Sequence, residues 1–121
     1  MSRLVLGVGM TTRATREEIS TLFGELLARA DVRLEMVDVV ATRLRFVDDE
    51  RLQLGLPIVG VEDSTLLERF PAPDRVGFAA RVAEGCALVG AGDHAQLLVE
   101  PLRSAYATMA LAFRSPRQSD Q

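Results

Sequence analysis

The first residues with chemical promise are Gly7-Val8-Gly9, followed by Met10-Thr11-Thr12-Arg13. A Gly-x-Gly turn between a strand and a helix lets backbone N–H groups approach an anion. The two hydroxyls and the guanidinium behind it would stand over the helix N-terminus. Gly7, Gly9, Thr11, Thr12 and Arg13 are therefore candidate holders of a phosphate or carboxylate. The dinucleotide fingerprint is incomplete, because its third glycine position is Thr12 and the acid at Asp38 lies ahead of or inside the second strand. Plain backbone geometry is the competing explanation of the glycine pair.

Glu84 lies in Val82-Ala83-Glu84-Gly85-Cys86-Ala87. A carboxylate among such small residues could be partly desolvated, which favours its protonated form and acid–base work. The alternative is a helix-surface glutamate. Thr42 ends an apolar run, where open α/β sheets bind ligands and where it could position substrate or water. It is as readily a simple strand-end threonine. His94, the single histidine, sits in a Gly-Asp-His loop and lacks co-ligands at metal spacing. Cys86 falls on the apolar face of a helix and reads as core. Neither Ser64 nor Ser104 has a histidine in a triad pattern. No metal site and no cofactor follow from these residues.

These groups need elements to carry them. Leu4 to Val8 is an apolar run ending at glycine, as a buried strand does. Thr15-Arg16-Glu17-Glu18 has the form of a capping box. Behind it, Ile19, Leu22, Phe23, Leu26, Leu27 and Ala30 recur at helical steps, with Gly24 on the opposite side. Met36 to Leu44 predicts a second strand, and Asp48 to Leu54 at most about two helical turns. Pro57 to Val61 predicts a third strand. Asp63 or Ser64 would cap a short helix through Arg69, stopped by the prolines at 71 and 73. Phe78, Val82, Cys86 and Val89 mark a longer helix, with Gly90 and Gly92 as its stop. Gln96 to Val99 and Tyr106 to Phe113 predict two closing strands, joined around Pro101 to Ser104. Residues 114–121 carry no pattern and are expected as a frayed tail. The order implies an α/β fold. We expect a single three-layer domain over residues 1–113, with a mixed sheet of about five strands, a C-terminal antiparallel hairpin and helices on both faces.

Composition narrows the function. The chain has 121 residues, 48% of them hydrophobic and 26% charged, enough for one core without disulfides or metals. No apolar run nears the roughly 20 residues of a membrane span, and the N-terminal run is too short for a secretory signal. With a single cysteine, a reducing, cytoplasmic setting is expected. A net charge of −3 and 5% aromatic residues argue against a nucleic-acid partner. All 14 basic residues are arginine, which excludes Schiff-base, pyridoxal-phosphate and Walker-A lysine chemistry.

Taken in order, Gly7-Val8-Gly9, Glu17-Glu18-Ile19, Val40-Ala41-Thr42, Val82-Ala83-Glu84 with Ala87-Leu88, and Thr108-Met109-Ala110 resemble the CobE/CbiG C-terminal family of cobalamin biosynthesis. The likeness runs over roughly residues 4–113. It implies a role near the precorrin-5 stage, as an accessory protein that binds a precorrin or corrinoid intermediate and works among other corrin-pathway enzymes. The alternative it implies is a hydrolase that releases acetaldehyde from a precorrin-5A lactone, with Glu84 as base and Thr42 positioning substrate or water. A small-anion or nucleotide module built on Gly7 and Gly9 is the reading independent of the family. Precorrins carry many carboxylate arms, so Arg13, Arg43, Arg45 and Arg103 become candidate ligand contacts. The sequence departs from the family pattern at Met10, where a cysteine is usual. It also has Arg43-Leu44-Arg45-Phe46 and Pro101-Leu102-Arg103 where lysines are common. Arg45 and Arg103 would substitute for those lysines if carboxylate binding is their role.

Overall fold

The computed structural model describes residues 3–69 and 75–114, with side chains of the second segment described from Val82 onward. Strand β1 (Arg3–Met10) leads to helix α1 (Arg16–Ala30), then β2 (Val39–Arg43), β3 (Ile58–Val61), α2 (Asp63–Arg69) and α3 (Arg75–Ala91). Strands β4 (Gln96–Leu97), β5 (Leu102–Arg103) and β6 (Ala107–Arg114) close the chain. The six strands form one mixed sheet in the order β3-β2-β1-β6-β4, with β5 also paired to β6. Strands β1, β2 and β3 are parallel, whereas β6 runs antiparallel to β1 along its whole length.

The period of two in β1 divides the core. Leu6 and Val8 face α1, where they pack with Ile19, Leu22, Phe23, Leu26, Met109 and Leu111. Val5 turns to the other face, with Ala41, Ala110, Ala112, Ala83 and Ala87. The expected three layers are thus present, with α1 on one side and α3 on the other. Each fully buried Leu or Ile contributes about 1.5–3 kcal/mol over its exposed state. The α1 N-terminus follows the capping pattern: the Thr15 hydroxyl accepts from the Glu18 N–H at 3.0 Å.

Several expectations need correction. Gly7 and Gly9 belong to β1 rather than to a turn, and they lie on the face that receives α3. A β-carbon on Gly7 would meet the Ala83 oxygen at 2.0 Å, and one on Gly9 would meet Val82 at 3.2 Å. The glycine pair therefore serves close packing of helix on strand. Gly90 does the same inside α3, against Val5 and Ala41, and only Gly92, at φ +106°, ends the helix.

The second strand is shorter than the apolar run implies. Leu34–Met36 forms a 3-10 turn closed by Met36 N–H to the Arg33 carbonyl, and Asp38 uses its carboxylate to accept the Leu4 N–H at 2.8 Å. Helix α2 begins at Asp63, so the cap position falls on Glu62, and the Asp63 carboxylate is committed elsewhere. Six strands replace five because the stretch read as a connection, Leu102–Arg103, itself pairs with β6. Between β4 and β5 four residues face only two on β6, a bulge that contains Pro101, which has no N–H to donate. Strand β6 runs through Arg114, the first residue of the tail expected over 114–121; residues 115–121 and the side chain of Phe78 lie outside the described residues.

Candidate functional site

The carboxyl ends of β1 and β2 open into a cleft of about 540 Å³, closed on its far side by the turn between β5 and β6. Its floor is Gly9, Met10, Thr11 and Thr12, and its walls include Arg43, Arg45 and Phe46 opposite Arg103, Ser104 and Tyr106. Among the described lining residues there are three arginines and no carboxylate.

The arginines differ in commitment. Arg43 forks onto Asp63 through its Nε at 2.8 Å and its NH2 at 2.6 Å, and this guanidinium holds the Asp63 carboxyl below its usual range. Arg45 lies over the ring of Phe46, 4.9 Å from the centroid, which spares its N–H groups for another acceptor. Among the described residues neither Arg45 nor Arg103 has an ion-pair partner.

The floor loop is fastened by a residue the sequence pattern does not single out. Arg51 donates from one terminal nitrogen to the carbonyls of Thr11 and Ala14, both at 2.8 Å. The rest of its fork grips Asp49 at 2.9 and 2.7 Å, which depresses the Asp49 pKa. Thr11 also donates its N–H to the Tyr106 carbonyl at 3.0 Å, joining floor to far wall. That wall is held in turn by Glu18. Its carboxylate accepts from the Ser104 hydroxyl and from the Tyr106 N–H at 2.8 Å. These bonds, Ser104 first, pull the Glu18 pKa down, and the Thr15 N–H is the weakest contributor.

The candidates from sequence thus separate. Gly9, Thr11, Thr12, Arg43, Arg45 and Arg103 meet at the cleft. Gly7 is buried under α3, and Arg13 and Glu84 are not among the lining residues. Glu84 is half-buried on α3. Thr42 is fully buried and donates its hydroxyl to the Val8 carbonyl at 3.0 Å, a bond that ties β2 to β1. Phe46, Ser104, Tyr106 and Val82 complete the cleft but were not anticipated. The only signal for Tyr106 was its position as the single tyrosine, next to the turn before β6. Burial pushes the Cys86 thiol up to about 12, which makes it inert core. His94 is exposed at φ 64°, and no metal-ligating cluster occurs among the described residues. No helix among them is long and apolar enough to cross a membrane.

A three-layer α/β domain with an arginine-lined cleft at its parallel strand ends defines the structural class of the protein. Within that class, residues 4–112 match the family described as Cobalamin synthesis G C-terminus. The curated Protein CobE of Sinorhizobium sp is 35% identical over 121 residues, covering 90% of this chain and 79% of that protein. The crystal structure of CobE, a protein from the cobalamin (vitamin B12) biosynthetic pathway, superposes with a TM-score of 0.81 at 25% identity over 94% of this chain and 92% of that one. A putative cobalamin biosynthesis protein G homolog from Sulfolobus solfataricus shares the fold, with a TM-score of 0.69 at 22% identity over 93% of this chain and 37% of that longer one. The chain belongs to the CobE/CbiG C-terminal family of cobalamin biosynthesis.

Proposed function

We propose that the chain binds a precorrin or corrinoid intermediate through its carboxylate arms, as an accessory factor near the precorrin-5 stage. The observation that carries this reading is the pairing of Arg45 and Arg103 on opposite walls of one cleft, both without an ion pair among the described residues. Bidentate guanidinium–carboxylate contacts suit a polyanionic ring even on a protein of net charge −3. The apolar parts of Phe46, Val82 and Met10 offer surface to the ring itself.

The hydrolase alternative requires a base near the substrate. The described lining residues offer no carboxylate, histidine or thiol, and Glu84 is not among them. Binding without turnover is therefore the reading supported best. The nucleotide alternative has less support, because Gly7 is packed under α3 and only Gly9 of the pair reaches the cleft. The test is an absorbance titration with hydrogenobyrinic acid, with ATP as the control. A saturable spectral shift that weakens in both Arg45→Ala and Arg103→Ala is expected. A signal from ATP alone, or unchanged binding in both variants, overturns the proposal. Acetaldehyde release from a precorrin-5A lactone would establish the hydrolase instead.

A further inference from the structure

The turn between β5 and β6 separates two hollows. On one side is the arginine cleft. On the other is a groove of about 490 Å³ along α1, whose lining includes Glu17, Glu18 and Glu25. Arg103 and Ser104 line both. A guanidinium at that position therefore stands between a carboxylate ligand in the cleft and three carboxylates of its own chain. Yet Arg103 forms no ion pair with any described residue.

The restraint on this turn comes from α1. In a capping box the glutamate normally reaches back to the N-cap N–H. Glu18 instead directs its carboxylate mainly across to Ser104 and Tyr106, 86 and 88 positions away. Both flank the same short turn, which is also closed by Ser104 N–H to the Ala107 carbonyl at 2.8 Å. The latch adjoins Arg103 in sequence, and its charge-assisted bonds are the stronger kind.

We infer that Glu18 is the positioning residue of the cleft: by holding Ser104 and Tyr106 it keeps Arg103 turned to a carboxylate ligand and away from the acidic groove. This rests on the carboxylate-binding reading above. Both bonds fall on one oxygen, Oε2, so the Glu18 carboxylate is fixed beside the turn through that atom. Loss of the latch frees the turn and lets Glu17 and Glu25 draw the guanidinium off the cleft.

The experiment is a double-mutant cycle with hydrogenobyrinic acid as probe, followed by absorbance on the full chain. Glu18→Ala and Arg103→Ala should each weaken binding about tenfold, while the double variant should be no weaker than Arg103→Ala alone. Glu18→Gln, which keeps one oxygen acceptor, should recover part of the loss. Ser104→Ala, which removes only one hydroxyl donor, serves as the second probe should Glu18→Ala fail to fold, and should weaken binding several-fold through the same coupling. Additive losses in the cycle overturn the inference, because a merely structural role does not depend on Arg103. Wild-type affinity in Glu18→Ala, beside a weakened Arg103→Ala, overturns it while leaving the ligand reading intact. No signal from the wild-type protein removes both.

Discussion

Gly7 lies directly beneath the Ala83 carbonyl of α3, so close that a β-carbon on Gly7 would stand 2.0 Å from that oxygen and 2.6 Å from the Ala87 nitrogen. Both are helix backbone atoms, so no flexible side chain can yield. Gly7→Ala is expected to cost about 3 kcal/mol or more, read as a fall in the urea midpoint or loss of soluble protein. Gly24 is the internal contrast, since nothing lies within 4 Å of a β-carbon there. Gly24→Ala should stabilise the fold by about 0.5–1 kcal/mol through helix propensity. Equal stability of the two variants would contradict the close seating of α3.

Thr42→Val should lower stability by about 1 kcal/mol, the usual net worth of a buried hydrogen bond, here the one to the Val8 carbonyl. Corrinoid affinity should not change, because Thr42 is fully buried and its hydroxyl is committed to β1. A large drop in affinity with intact stability would place Thr42 at the ligand.

Arg51→Lys should loosen the floor loop although charge is retained. An ammonium cannot fork onto Asp49 while spanning the Thr11 and Ala14 carbonyls. The expected loss is about 1–2 kcal/mol. It should appear locally as faster amide exchange at Ala14, whose N–H donates to the Thr11 carbonyl at 3.2 Å. Unaltered exchange would show that the loop holds without the arginine.

Stability should decline in acid. Arg43 depresses the pKa of Asp63, and Arg51 that of Asp49, so each carboxyl binds a proton less readily when folded than when unfolded. The unfolded chain then takes up more protons as pH falls. The stabilisation is fully present above the unfolded value, near 4, and is lost as pH drops through the depressed folded values. Urea unfolding between pH 6 and 2.5 checks this, and Asp63→Asn should flatten part of the slope. A variant with the wild-type slope would remove the Arg43–Asp63 pair as a contributor.

Much of the fold was legible because its signals are local. The run from Ile19 to Ala30 has a helical period, and Thr15 with Glu18 marks its start. The apolar runs that became β1, β2, β3 and β6 were visible, as was the parallel-then-antiparallel order. Arg45 and Arg103 were named as candidate contacts from their likeness to family positions, and the cleft does bring them together. Boundaries failed where a side chain replaced a ladder bond, as at Asp38, or where a bulge let an edge strand resume after Pro101.

By itself the sequence determined most of the element types, the placing of helices on both faces of the sheet, the exclusion of lysine chemistry and the family. These depend on residue type and short-range period. Only the tertiary structure decided that the glycine pair lies within β1 against α3, and that Thr42 is spent on β1. It alone disclosed that Arg51 and Glu18 hold the cleft. Glu18 and Ser104 are 86 positions apart and meet only because β6 inserts beside β1, which brings the turn ahead of it to the α1 N-terminus. Strand pairing at that separation is a property of the whole packed sheet, and no local pattern records it.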